Sequence, residues 1–133
     1  MKELRNSKQR AAILDYLKST KSHPTAETIY NKVRPEIPNI SLGTVYRNLS
    51  LLEELGQIRK IAQTNEPDRF DADTSPHGHL KCSCCGGVSD IFWDDSELDK
   101  LASSACGCNI VGHEIMFFGI CRNCEINLEK IKS

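Results

Sequence analysis

Two Cys-x-x-Cys pairs, Cys82 with Cys85 and Cys121 with Cys124, constrain this chain more than any other feature. A two-residue spacer lets both thiolates of a pair reach one ion, and two pairs complete a tetrahedral four-sulfur shell. The chain is thereby obliged to bring residues 82 and 124 to one point. Soft thiolates in a closed tetrahedron favour Zn2+ and leave no open position for substrate, so the site reads as structural and coupled to folding. Cys84 makes Cys84-Cys85 a competing choice, though the matching spacing prefers Cys82 with Cys85.

All seven cysteines lie between Cys82 and Cys124, an odd number, and the Met1-Lys2-Glu3 start carries no apolar signal segment. No run approaches the roughly 18 apolar residues of a membrane helix. The compartment read from this is the reducing cytoplasm, where clustered thiols bind metal more often than they pair. With 133 residues, 39% of them hydrophobic, the chain can bury one modest core or two small ones. Charge divides it: residues 1–60 hold 11 Lys/Arg against 6 Asp/Glu, and the remainder 6 against 12. A basic front and an acidic, cysteine-bearing back suggest a polyanion-binding module joined to a cation-binding one.

The front half reads as three helices and a β-hairpin. Ser7 can cap a first helix through about Thr20, with Ala11, Ile13, Leu14 and Leu17 inward. Thr25 can cap a second, with Ile29, Tyr30 and Val33 inward, ended by Pro35 and Pro38. The third has Ser41 as cap, Ile40 and Val45 as a hydrophobic staple, and Gly56 as a left-handed stop. Its buried stripe is Leu42, Val45, Leu49 and Leu52, which turns Thr44, Arg47 and Asn48 elsewhere. Residues 57–62 and 69–72 read as two short strands around the turn Thr64-Asn65-Glu66-Pro67-Asp68, a wing.

A major groove admits one such helix and is read by residues near its N-terminus. Ser41, Thr44, Tyr46 and Arg47 are suitably placed for DNA: Arg47 for a guanine edge or phosphate, Tyr46 for a thymine methyl or phosphate. Standing alone, the helix would also accommodate Tyr46 as a half-buried aromatic and Arg47 as a solvated charge.

Before the first thiol pair lies His77-Gly78-His79, and in a strand residues i and i+2 share a face, presenting two imidazoles together. Asp71, Asp90 and His23 could complete a shell of three nitrogens and two carboxylates. That set suits Fe2+ or Mn2+ and leaves one octahedral position open, where iron can meet peroxide. Taken singly, each has an ordinary reading: His23 in a turn before proline, His79 as a satisfied core residue, Asp71 as a loop cap.

These motifs resemble the ferric-uptake-regulator family along nearly the whole chain. The resemblance runs through Arg5-Asn6-Ser7-Lys8-Gln9-Arg10, His23-Pro24-Thr25-Ala26-Glu27, the stretch from Ser41 to Leu49, Arg69-Phe70-Asp71, His77-Gly78-His79-Leu80-Lys81-Cys82, Asp90 and Gly119-Ile120-Cys121-Arg122-Asn123-Cys124. It implies an α+β chain: a winged helix-turn-helix DNA-binding domain with hinge over 1–73, then a small α/β dimerisation and metal-binding domain over 74–133. It implies a homodimeric repressor on double-stranded operator DNA, with structural Zn2+ on Cys82, Cys85, Cys121 and Cys124. Regulatory Fe2+ or Mn2+ maps onto His23, Asp71, His77, His79 and Asp90, and Arg5 joins the DNA-contacting set. Asp71, where iron-sensing members usually carry glutamate, resembles the peroxide-responsive branch, in which a ligand histidine, His23 or His77 here, is oxidised. The alternative is an iron- or zinc-responsive uptake regulator.

The sequence departs from its relatives in three places. Few residues precede Arg5, so a leading helix is shortened or absent. An auxiliary metal position would fall on Pro76, Gly78, Glu97 and His113, two of which cannot be side-chain ligands. Cys84, Cys106 and Cys108 stand outside the four-thiol set and read as packing residues in preference to a secondary redox feature. In the back half residues 88–93 read as a strand, Asp94 or Asp95 as the cap of a helix through Ala105, and residues 110–120 as further strand. A unit this thin favours a second subunit over one sheet face. Enzyme readings fare poorly: His113-Glu114 lacks the His-x-Glu spacing of a zinc deaminase, and neither Cys-x-x-Cys lies in the βαβ unit of a thiol oxidoreductase.

Overall fold

A computed structural model describes residues 2–132, with side chains from 7 to 130. The chain forms two compact units, Met1–Ser75 and Pro76–Ser133. The first is a winged helix-turn-helix, with α1 (Lys2–Ser19), α2 (Ala26–Val33), α3 (Leu42–Glu54) and an antiparallel hairpin of β1 (Arg59–Ile61) and β2 (Arg69–Asp71). The second is a small α/β unit: β3 (Gly78–Cys82), β4 (Val88–Ile91), α4 (Leu98–Cys106), β5 (Met116–Gly119) and α5 (Arg122–Lys132). None of the helices is long and apolar enough to cross a membrane among the described residues.

In the N-terminal unit, Ile13 and Leu17 of α1, Ala26, Ile29 and Val33 of α2, and Val45, Leu49 and Leu52 of α3 meet in one buried cluster closed by Ile40, Ile58 and Phe70. Ser7 does not cap α1. The residues before it include good helix formers and no breaker, so the helix begins at Lys2. Ala11 is exposed, because the buried stripe is Gln9, Ile13 and Leu17 at four-residue steps, and Ala12 packs against the cluster instead. Thr25 and Ser41 cap α2 and α3 as the sequence suggests, each accepting a backbone N–H three residues on. Gly56 takes the left-handed conformation that ends α3. Asn48 is buried where an exposed position was expected, and its amide donates to the Thr44 carbonyl at 3.0 Å, which satisfies it within the helix.

In the C-terminal unit β3 is central, antiparallel to β4 and parallel to β5. A parallel neighbour requires a crossover, and α4 lies within it. The expected helix start at Asp94 or Asp95 moves to Leu98: Asp94 accepts the Ser96 N–H and closes its own turn, while Glu97 occupies the cap position without a side-chain bond. The strand expected over 110–120 shortens to β5, and α5, for which no helical signal was read, follows Cys121. Cys82 and Val88 are the buried hydrophobics among this unit's described residues, whereas Phe92, Trp93, Leu101, Val111 and Phe118 are exposed.

His113 fastens the loop after α4. Its Nδ1 lies 2.7 Å from Asp99 Oδ1, and its Nε2 is hydrogen-bonded to Asp95. Asp99 and then Asp95 raise its pKa above the usual histidine value by favouring the imidazolium. A raised folded-state pKa stabilises below the unfolded value and loses that contribution as pH rises through the folded one. Urea unfolding should therefore show His113→Gln least stable relative to the parent below about pH 6.5, with the gap closing as the pH climbs past the raised pKa. A gap that widened with pH would contradict this arrangement.

Candidate metal centres and nucleic-acid interface

The end of β3 and the start of α5 carry the four thiols. β3 ends at Cys82, the chain turns through Gly86 at φ 76°, and β4 returns, with the Cys82 N–H donating to the Gly87 carbonyl at 2.9 Å. Cys85 sits on that turn. Cys121 immediately precedes α5, and its carbonyl accepts the Glu125 N–H. The Ser83 N–H donates to the Gly119 carbonyl at 2.7 Å, bringing the turn to the end of β5. One sulfur from each of Cys82, Cys85, Cys121 and Cys124 lies within 4.8 Å of every other, and Cys85 Sγ is 3.9 Å from Cys121 Sγ. Sulfurs sharing one tetrahedral zinc stand about 3.8 Å apart, so this set fits the ion. Cys84, the competing choice, is exposed and contributes its backbone N–H to Cys82 Sγ.

The backbone has prepared one sulfur for negative charge. The N–H groups of Cys121, Cys85 and Cys84 donate to Cys82 Sγ at 3.3 to 3.4 Å, and they hold its pKa down to about 6 despite burial. Cys124 is pushed the other way by its hydrogen bond with Cys121 and by burial. A thiolate at one corner and a reluctant thiol at another make a site that a dication completes, since metal binding displaces the remaining protons.

A second donor set lies on the β3–β4 hairpin. His77 precedes β3 by one residue, His79 lies within it, and the register places Asp90 directly opposite His79. Asp90 Oδ1 is 2.9 Å from His77 Nε2 and 3.3 Å from His79 Nε2. Both histidines are buried, and the His77 ring stacks on Phe92 at 4.9 Å. Two imidazole nitrogens and a carboxylate oxygen converging in a buried place suit a borderline divalent ion. Phe92, which no signal in the sequence singles out, stands just past the end of β4, where the strand expected over residues 88–93 stops at Ile91.

The N-terminal unit presents its own pair. His23 Nδ1 is 3.8 Å from Asp71 Oδ2, and both residues are buried. His23 adopts φ 52°, a left-handed conformation uncommon for a residue with a Cβ and held here by its surroundings. Arg69 donates to the His23 carbonyl at 3.1 Å, the Phe70 N–H donates to the Pro24 carbonyl, and Asp71 Oδ1 takes the Asp73 N–H. The turn before α2 is thus stitched to β2, which sets His23 beside Asp71.

On α3, Ser41 Oγ is 2.9 Å from Thr44 Oγ1, and Arg47 donates to that same Thr44 oxygen at 2.9 Å. The arginine therefore folds back toward the first turn of the helix, where the helix dipole is already positive, so positive charge collects at that end of α3. Tyr46 is 50% exposed, so it is no core aromatic and its ring is available to a ligand. Arg5 lies outside the residues whose side chains are described.

The Ferric uptake regulator family model matches residues 1–118. The peroxide-responsive repressor PerR of Staphylococcus aureus is 34% identical over 123 residues, spanning 92% of this chain and 83% of that one. Among solved structures, the Campylobacter jejuni peroxide stress regulator superposes with a TM-score of 0.79 at 32% identity, over 92% of this chain and 93% of that one. The Helicobacter pylori ferric uptake regulator Fur superposes at 0.74 with 24% identity, over 89% of this chain and 80% of that one, and shares the fold.

Two outcomes follow from this geometry. Cys82→Ser should abolish the tightly held zinc measured by elemental analysis and broaden the amide spectrum of the C-terminal unit, and full zinc retention would exclude Cys82 as a ligand. Arg47→Ala should weaken duplex DNA binding by about 1–3 kcal/mol in a fluorescence anisotropy titration, and an unchanged affinity would remove α3 from the interface.

Proposed function

The chain belongs to the ferric uptake regulator family of metal-responsive transcriptional regulators, and on that footing we propose that it is a peroxide-sensing repressor that binds operator DNA as a metal-loaded homodimer. The observation that carries the reading is the pair of buried donor sets, His23 with Asp71 and His77 with His79 and Asp90. We assign these five residues to one regulatory Fe2+ or Mn2+ and the four thiols to structural Zn2+. The similarity to two peroxide regulators and the aspartate at position 71 support peroxide as the signal.

In this reading His23 and Asp71 lend the DNA-binding unit to an ion whose other ligands belong to the C-terminal unit, so metal occupancy selects one DNA-competent arrangement from a wider ensemble. Bound Fe2+ supplies the one chemistry the side chains lack, reduction of peroxide beside its ligands. With iron held there, a ring C–H of His23 or His77 would be replaced by one peroxide oxygen while the other left as water, the ring would become a poorer donor, and the selected arrangement would be lost. Phe92, stacked on His77, holds that ring in place and sheds water from it. The four thiols keep the hairpin carrying His77, His79 and Asp90 in register throughout. Ser41, Thr44, Tyr46 and Arg47 contact the operator, with Arg5 assigned to the same surface. Exposed Phe92, Trp93 and Phe118 in a unit with few buried apolar residues support a second copy as partner.

The decisive measurement is gel-shift binding to an operator selected from random duplexes, with Fe2+ or Mn2+ loaded anaerobically, before and after peroxide. The iron form should release DNA and gain one oxygen in the peptide holding His23 or His77, while the manganese form holds on. Intact binding without that mass gain, combined with release on metal withdrawal, would point instead to an iron- or zinc-responsive uptake regulator.

A further inference from the structure

Cys106 and Cys108, which the sequence suggests are packing residues, are both exposed at the end of α4. They belong to neither donor set, since the four-sulfur group contains Cys82, Cys85, Cys121 and Cys124. Burial therefore does not explain them. What the fold does with them is to hang both over one turn. Gly107 between them is left-handed at φ 69°, the Cys108 N–H donates to Cys106 Sγ at 3.4 Å, and Cys108 Sγ donates to the Cys106 carbonyl at 3.6 Å.

We propose that Cys106-Gly107-Cys108 is a redox-modification site, a surface dithiol that a hydroperoxide closes to a reversible disulfide without disturbing the zinc. Residues two apart can be separated by no more than about 7.6 Å at Cα and stand closer where the chain turns. A disulfide needs a Cα separation of roughly 4.4–6.8 Å. Gly107, at φ 69°, supplies a turn that a residue with a Cβ would resist, and the surface beside it is open. Exposure admits both the oxidant and the thiol that later reverses the reaction.

The chemistry balances in two steps. One sulfur, as thiolate, attacks the peroxide O–O bond, forming an S–O bond, and the departing hydroxide takes up the proton that the thiol gave, leaving as water. The second sulfur displaces the hydroxyl from the first, forming the S–S bond, and that hydroxyl leaves with the second thiol's proton as water. Two thiols and one hydrogen peroxide give one disulfide and two waters; the sulfurs lose two electrons and the peroxide oxygens gain them. No iron takes part, so the site stands apart from the regulatory ion and does not rest on that reading.

The test uses the full-length chain, zinc-loaded and carrying Mn2+ with iron excluded, treated with hydrogen peroxide and then alkylated without unfolding. Cleavage after Lys100 and Arg122 isolates residues 101–122, which include Cys106, Cys108 and zinc-ligand Cys121. The expected result is loss of both labels from Cys106 and Cys108, a mass lower by two hydrogens, no zinc release in a chromogenic chelator assay, and recovery of both labels after dithiothreitol. Cys106→Ser and Cys108→Ser should each prevent closure within the peptide. Continued labelling of both thiols after peroxide, oxidation seen only together with zinc release, or pairing of Cys108 with Cys121 would each overturn the proposal. Operator release from the iron form is a separate measurement, so either reading can fail while the other stands.

Discussion

Four sulfurs drawn to within 4.8 Å of one another are the constraint on which the C-terminal unit turns. That unit spans residues 76–133, and Cys82 and Val88 are its buried hydrophobics among the described residues. So little apolar burial cannot offset the entropy of ordering a unit this small, and such domains rely on metals or on association. Here the four sulfurs gather the hairpin turn after β3 and the first turn of α5 at one point, where a bound zinc would tie them together. The N–H groups aimed at Cys82 Sγ show that the backbone is shaped for a charged sulfur rather than for a packed thiol. The β3–β4 ladder that ends beside these sulfurs also sets His79 opposite Asp90.

The N-terminal unit is built on the opposite principle. Three helices and the wing enclose a continuous apolar cluster, and the buried amide of Asn48 beside it is satisfied by Thr44. A rigid body of this kind can present a preformed helix N-terminus whose arginine is already braced by Thr44. Preorganisation lowers the ordering cost when an anion binds. The strained His23 shows where this unit spends part of its stability, at a residue whose conformation the neighbouring β2 enforces.

Much of this was legible in the chain because the informative signals are local. A cap at Ser41, a staple at Ile40 and Val45, and a glycine at position 56 fix α3 by their own chemistry. The matched thiol spacing named its four residues for the same reason. What escaped was set by competition between local options or by distant partners. Ser7 is a good cap that neighbouring helix formers override, and Asp94 closes a turn where a helix start was expected. Asn48 looks polar and exposed until its bond to Thr44 is seen, and Phe92 declares no role until its ring is found stacked on His77. Cys106 and Cys108 read as packing because cysteine is so often buried, a tendency that fails in a unit with hardly any interior.

The single strand β3 carries both chemistries: imidazoles at its beginning and a thiolate at its end, three residues apart from His79 to Cys82. Side chains alternate faces along a strand, so the odd-numbered histidines and the even-numbered cysteine leave it on opposite sides. The separation is a matter of parity. Inserting or deleting one residue between them would send either the nitrogens or the sulfur to the wrong face, and Lys81 adds its own constraint by donating to the Gly86 carbonyl at 2.9 Å, on the turn that carries Cys85. The spacing of this stretch is what keeps its two chemistries apart.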